Sequence, residues 1–467
     1  MFNWNRGLMV SGAVLMAATQ VKAITLTNFD NFTPLANSAG PIPVGGAGEA
    51  TPITLGNKSW VQQSIADRAT QNTLVPGSNS GNWDMIAANE TGPDAGRYLF
   101  MPFETGTAGV QRVDLKDPNY NTRTVNIVAP GTQAFVVGDA SRWTPWGSYL
   151  TAEESWGTNS TKGRLFEVTN PVTATVNGGT FIHRSTVARV SHEGLAFDSS
   201  NNLYYIDELN GGSIYKFTSD TPNATSGNDF FAAGTNSVLR VGDGNTPNAV
   251  GAYQWIAFAD ELGVFAGGIT TDGSADGRLT TNVAAYKGTD YQRPEDMEIQ
   301  VINGVELLYI ATTTTNEVYA LNLLTNEISV FANQSTIDLA TGLPVGSGLL
   351  SPDNIAIDSE NNIYIIEDRN GGVDDDIWFA NDINKDGDLL DAGEGIARWA
   401  SNGTQGSEFT GLYFDRFNPN LAYVNIQHPS SGVDRLLVID ASIPEPATMS
   451  LLGFAGLLAI RRSRRRA

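Results

Sequence analysis

The chain has no cysteine, only three histidines, and 28 lysines and arginines against 50 aspartates and glutamates in 467 residues. The missing cysteine excludes disulfides, thiolate metal sites and cysteine nucleophiles together. His183, His192 and His428 fall at no metal-ligand spacing. The basic deficit gives a net charge of −22, which moves to near −29 when the seven basic residues of the two chain ends are set aside. Nucleic acid is excluded as a partner on this count, because phosphate binding needs clustered Lys and Arg; divalent cations are favoured. There is no G-x-S-x-G elbow, and GDGN at Gly242 is a turn, since no helix signal follows it. Long heptad-like runs are also missing. What is present is 41% hydrophobic residues, enough for a real core, and 49 glycines among many Thr, Asn and Ser. That composition reads as short strands joined by turns, an all-β chain.

Both ends carry sorting signals. Arg6 precedes an apolar stretch from Leu8 to Ala18, and Val21-Lys22-Ala23 fits the small-x-small cleavage rule. Residues 1–23 are therefore read as a secretory signal peptide rather than a buried first helix. At the other end, residues 443–467 join Pro444-Glu445-Pro446, an apolar run from Ala447 to Ile460 and five arginines. Fourteen apolar residues are fewer than the ~20 that span a bilayer comfortably. This tripartite tail resembles the PEP-CTERM sorting signal. The resemblance implies transient inner-membrane contact, cleavage near Pro-Glu-Pro by an exosortase-type enzyme, and a cell-surface or extracellular destination.

The middle of the chain repeats. SHEGLAFDSSNNLYYIDELNGG, from Ser191, aligns without a gap on SPDNIAIDSENNIYIIEDRNGG, from Ser351, so that Glu193 matches Asp353 and Asp207-Glu208 matches Glu367-Asp368. RPEDMEIQVINGVELLYIATTTTNEVYAL, from Arg293, fits with a small insertion and puts Glu295 in the same slot; FTGLYFDRFNPNLAYVNIQHP, from Phe409, is a looser copy with Thr410 there. Earlier copies run from Asp84 to Leu115 and from Thr144 to Val168. Each copy is strand, Asp/Asn-rich turn, strand, turn, strand, and repetition at this length predicts a β-propeller of about six blades. Seven are also compatible, because the 102 residues between Glu193 and Glu295 hold either a further unit or a long insertion. The propeller is placed at 81–442, behind an N-terminal segment at 24–80.

In such a pattern the acid before each inner strand falls at one rim of the central channel, which predicts that Glu193, Glu295 and Asp353 converge. Glu104 and the pair Glu153-Glu154, at the end of TPWGSYLTAEE, stand in comparable places. Two readings are open. The acids cap strand ends and turns, or they cage a hard cation such as Ca²⁺ with oxygen ligands.

Five elements in order, TPWGSYLTAEE, HEGLAFD, RPEDMEI, SPDNIAID and FTGLYF…YVNIQHP, resemble the PhoX-type alkaline phosphatase family, a likeness running from about Trp83 to Val438. It implies a propeller whose cleft holds iron and calcium and hydrolyses phosphomonoesters, or acts on another small anionic substrate, outside the cytoplasm. Carried over, it makes Glu154, Glu193, Glu295 and Asp353 metal ligands, Asn354 an extra oxygen donor and Arg293 the phosphate clamp, a role suited to a planar guanidinium. One departure is Ala152, which stands where the family carries a cysteine serving its iron pair. An alanine coordinates nothing, so the departure counts against iron and leaves an all-oxygen calcium site intact. Two other functions use the same cage: a non-catalytic calcium-binding propeller at the cell surface, and a lactonase-like propeller hydrolase.

A separate loop, with Asp382, Asn384, Asp386 and Asp388 at positions 1, 3, 5 and 7 and Gly387 at position 6, follows the EF-hand spacing except that Glu394 falls one residue late. It reads either as a second calcium loop or as a plain Asp/Asn turn. Trp143, Trp146 and Trp156, around the Glu pair, read as core or rim packing. Intact-mass measurement of exported protein should show a chain starting near Ile24 and lacking the arginine tail; retention of residues 447–467 would remove the sorting-signal reading.

Overall fold

The computed structural model describes residues 27–157, 160–259, 273–278, 283–369 and 374–442. The signal peptide and the PEP-CTERM segment lie outside them. The described chain is a β-propeller of six blades. In chain order the innermost strands are Ala87–Ala88, Gly138–Trp143, Leu195–Phe197, Pro294–Ile302, Pro352–Ile357 and Glu408–Phe414. Each pairs antiparallel with the next strand outward, and each of the first five blades reaches a fourth strand within its own repeat. The long gap after Glu193 is an insertion and not a seventh blade. Its strand Gly251–Ala259 adds to the edge of the third blade and bridges to Glu327–Ala332 of the fourth, fusing the two into one nine-stranded sheet.

The sixth blade is completed from the other end of the chain. Val61–Asp67 pairs antiparallel with Arg435–Asp440 as its outermost strand, and Ile53–Leu55 pairs with Gly395–Asn402 of the fifth blade. Phe29 and Trp60 pack with Trp399, Tyr364 and Phe414 in the core between these blades, and the Trp399 indole N–H donates to the Phe29 carbonyl at 3.0 Å. The division read at residue 80 therefore does not separate two bodies: a stretch rich in Gly, Pro and Thr carries the closing strand. Pairing of Val61–Asp67 with the last blade covers the Arg435–Asp440 edge and ties the two ends of the described chain together.

The repeated turn has a physical cause. In DSSNNLYY and DSENNIYI the aspartate carboxylate accepts the backbone N–H groups two and four residues on: Asp198 from Ser200 and Asn202, Asp358 from Glu360 and Asn362, all at 2.8–2.9 Å. Asn201 and Asn361 each take a left-handed φ of 60°, a conformation Asn tolerates better than most residues. The Tyr204 and Tyr364 hydroxyls donate to the second oxygens of the same aspartates. Deleting the chain through Asp67 should expose the Arg435–Asp440 edge. The expected outcome is a lower melting temperature and concentration-dependent association in light scattering, where the chain from Ile24 stays monodisperse.

Candidate metal-binding channel

Antiparallel pairing sets the start of each inner strand beside the end of its neighbour, and both ends point into the channel. The inner-strand positions, one per blade, are Asp84, Asp139, Glu193, Glu295, Asp353 and Thr410. Those at the end of the second strand are Glu104, Glu154, Glu208, Thr313, Asp368 and His428. In five blades one backbone bond repeats: the N–H of Glu104, Glu154, Glu208, Thr313 and Asp368 donates to the carbonyl of Asn82, Val137, Ser191, Arg293 and Ser351 respectively, at 2.8–3.1 Å. Four of those carbonyl residues, Asn82, Val137, Arg293 and Ser351, have φ between 43° and 53°. For a residue with a Cβ this costs about 1 kcal/mol or more, so the turn is held by the blade around it.

The acids are aimed by bulges. Register shifts by one residue after Gly138, Pro294, Pro352 and Thr410 on the inner strands, and a bulge at a rim re-aims the side chains it carries. Consecutive residues thus separate. Asp353 enters the carboxylate cavity, whereas Asn354 lines a second cavity of about 400 Å³ on the other side. The Asn354 Oδ1 accepts the Gly411 N–H at 2.7 Å, so its oxygen serves the joint between blades.

The first cavity holds about 480 Å³ and is lined by ten carboxylates, the acids of the two rings plus Glu408, with Arg293, Trp156, Asn82, Thr410 and His428. Oxygens of Glu193, Glu208 and Glu295 lie within 4.8 Å of one another. Burial, and then the neighbouring carboxylates, push Asp139, Glu193, Glu208 and Asp353 well above the usual carboxylate range. Burial likewise lifts Asp84 and Glu295 to about 8, against lowering by Gln427 and Arg293 respectively. Glu295 Oε2 and Asp139 Oδ1 are buried without a hydrogen-bond partner. Orphaned, converging carboxylate oxygens are the donor set a hard divalent cation takes, so these residues fit a metal.

Among the described residues, Arg293 is the only arginine or lysine of the cavity lining. Its Nη2 reaches Glu208 Oε1 at 2.6 Å and Glu295 Oε1 at 3.2 Å, and the Thr313 hydroxyl donates to Glu295. The guanidinium lies 5.1 Å from the ring centroid of Trp156. That indole N–H donates to Glu208 at 2.8 Å and to Glu154. Arg278, fully buried, donates to the carbonyls of Ser155, Ser160 and Lys162 and so fixes the loop that carries Trp156.

Of the expected site residues, Glu154, Glu193, Glu295, Asp353 and Arg293 share this cavity; Asn354 does not. Glu153 turns the other way, accepting from Arg164 Nε and Nη2 at 2.9 and 2.6 Å. Ala152 is buried in the apolar cluster with Leu165, Val190 and Leu195 and is not a lining residue, so a thiol at that Cβ would meet hydrocarbon. In the Asp382 loop, Asp382 accepts the Asp386 and Gly387 N–H groups, Glu394 accepts those of Ile383 and Asp391, Asn384 donates to Asp386 and Asp388 accepts from Leu390. These bonds are compatible with both readings of the loop, and none of its residues lines the channel cavity.

His428 does line the cavity. Its Nδ1–H donates to the Gly406 carbonyl at 2.9 Å, which sets Nε2 against Glu408 at 2.8 Å. His192 is instead buried against Tyr205, and burial takes its pKa down to about 3, so it stays neutral. Sequence reasoning missed Asp84, Asp139, Glu208, Asp368 and Glu408 as site residues. A signal existed for three of them: fifteen residues separate Asp139 from Glu154, Glu193 from Glu208, and Asp353 from Asp368.

Some solved structures are similar to the chain at low identity. A gluconolactonase from Xanthomonas campestris is 10% identical, with 87% of this chain and 99% of that one covered and a TM-score of 0.43. Virginiamycin B lyase from Staphylococcus aureus is also 10% identical, with 82% and 99% covered at 0.42. Aldose sugar dehydrogenase from Streptomyces coelicolor, in its PQQ-bound form, is 13% identical, with 79% and 96% covered at 0.36. No curated protein sequence matches the chain. Residues 442–466 match the PEP-CTERM protein-sorting motif, which indicates export with exosortase processing, and no helix among the described residues is long and apolar enough to cross a membrane. Residues 140–430, more than half of the chain, covering the second to fifth blades and the two inner strands of the sixth, match alkaline phosphatase PhoX, and the protein belongs to that family of phosphoric monoester hydrolases.

Proposed function

We propose that the protein is an exported, metal-dependent phosphomonoesterase whose site is the carboxylate channel. The observation that carries this reading is one arginine set among ten carboxylates contributed by all six blades, seven of them buried and Glu104, Glu154 and Asp368 half-buried. Glu154, Glu193, Glu295 and Asp353 would hold hard cations, with Glu208 completing the set around Glu193 and Glu295. The all-oxygen donor set suits Ca²⁺; with no cysteine anywhere in the chain, any iron would be held by oxygen or nitrogen. Bound cations supply charge neutralisation at phosphate and an acidified water. Arg293 presents a planar donor fork to the phosphate oxygens, and Glu208 and Glu295 hold that fork in place. Thr313 fixes the rotamer of Glu295. His428, whose Nδ1–H is spent on Gly406, offers Nε2 with Glu408 at the cavity wall.

A second reading, a non-catalytic calcium propeller, is favoured by the commitment of Arg293 to Glu208 and Glu295. Activity separates the two. Arg293→Ala should lower kcat/KM on a generic phosphomonoester by about 10²-fold or more, while Glu295→Gln should lower activity and weaken cation binding together. A wild type inert under both calcium and iron loading, yet stabilised by calcium, would sink the catalytic reading.

The cage also dictates a pH dependence. Asp84 and Glu295 rise from 3.8 and 4.5 to about 8, so between roughly pH 4 and 8 the folded metal-free chain binds more protons than the unfolded one. Its stability must therefore fall as pH rises through that window. The melting temperature of EDTA-treated protein should drop between pH 5 and 8, and Ca²⁺ should restore it and flatten the slope. A flat profile without metal would count against the cage.

A further inference from the structure

We infer that Trp156 is a positioning residue for anion capture, one that holds Arg293 in its working orientation and ties it to the two carboxylates behind it. This rests on the phosphatase reading of the channel and adds to it a residue that the reading does not need. Three observations converge on one side chain. The indole lies against the Arg293 guanidinium. Its N–H bridges Glu208, which is the main partner of Arg293, and Glu154 on its own loop. It does this while 43% exposed, the largest exposed aromatic of the described residues and a poor choice if packing were its only task. A tryptophan offers a cation a broad π-face and a carboxylate a donor from the same rigid ring.

Arg293 is paired with both carboxylates, with Glu208 through Nε and Nη2 and with Glu295 through Nη2, and the indole bears on the same guanidinium. The indole closes off one face of the guanidinium plane and takes up Glu208 Oε2, so that Glu208 meets Arg293 through Oε1. The carboxylates engage Nε and Nη2, which leaves the Nη1 edge of a cavity-lining arginine for a phosphate oxygen. Arg278 holds the Trp156 loop through three carbonyls, so the shelf is rigid before an anion arrives.

The test measures inorganic phosphate binding by calorimetry on calcium-loaded full-length mature protein, a readout that needs no turnover, together with kcat and KM on a generic phosphomonoester. Trp156→Phe keeps a ring and loses the N–H; Trp156→Leu loses both. Phosphate affinity should fall about threefold in the first and about tenfold in the second, with KM rising by similar factors, kcat changing less, and melting temperatures near wild type. In an Arg293→Ala background the Trp156→Leu change should have almost no effect on phosphate affinity, because the indole acts through that guanidinium. Three results overturn the proposal: unchanged phosphate affinity in Trp156→Leu, an equal loss with and without Arg293, or no phosphate binding by the wild type. Failure of the phosphatase reading alone looks different, as phosphate binding that depends on Trp156 in a protein that hydrolyses nothing.

Discussion

Everything in this molecule answers to the repulsion among carboxylates gathered on one axis. At the 4.8 Å that bounds the Glu193, Glu208 and Glu295 oxygens, each fully charged pair costs roughly 3 kcal/mol even at an effective dielectric near 20. Six blades must hold against that. A belt of hydrogen bonds beside the acids joins each blade to the next. The Gly138 N–H donates to the Phe103 carbonyl, that of His192 to Glu153 and that of Gly194 to Glu295; that of Ile355 donates to Asp296 Oδ2 and that of Gly411 to Asn354 Oδ1. The Thr410 hydroxyl completes the circuit on the Trp83 carbonyl. Two of these joints need glycine: a Cβ on Gly194 would lie 2.5 Å from the Met297 nitrogen, and one on Gly411 2.5 Å from that of Ile86. At the outer edge, Val61–Asp67 completes the sixth blade on Arg435–Asp440.

Cations relieve the same repulsion. Buried carboxylates with raised pKa values take up protons, and the proton is the weakest of the cations the cage can hold. A divalent ion replaces several at once and removes the repulsion. Stability and function therefore draw on the same groups, and the strained turns at Asn82, Val137, Arg293 and Ser351 persist because four blades enforce them in parallel.

Much of this was legible in the residues. The Asp-x-x-Asn-Asn turn, with its carboxylate-to-amide bonds and tyrosine hydroxyl, is local chemistry, and local chemistry repeats visibly; the blades and the convergence of Glu193, Glu295 and Asp353 follow from it. What stayed hidden depends on the bulges. A single extra residue on the inner strand decides that Asp353 faces one cavity and Asn354 the other, and no composition records it. The turning of Glu153 onto Arg164 has the same origin, since only one member of an adjacent pair can continue the strand's inward face. The closing strand was missed for another reason: its partner Arg435–Asp440 lies at the far end of the chain, and pairing over that distance leaves no periodic mark on VQQSIAD.

The three ring positions that are not acids give the site its polarity. Thr313 stands where the fourth blade would otherwise carry a carboxylate, and Thr410 and His428 occupy both positions of the sixth. An acid at 313 would lie beside Arg293 and compete with Glu208 for the guanidinium. A threonine instead donates to Glu295 and leaves Arg293 only the two carboxylates it now has. On the sixth blade a threonine and an imidazole take the two ring positions, with Glu408 beside His428 as that blade's carboxylate. Negative charge is thus densest around the first, second, third and fifth blades, and the fourth presents the one positive group. An anion entering such a channel is drawn to Arg293 and whatever cations the acids hold, and is repelled from the rest. One repeated strand pattern, altered at three positions, is sufficient to give a symmetric ring a direction.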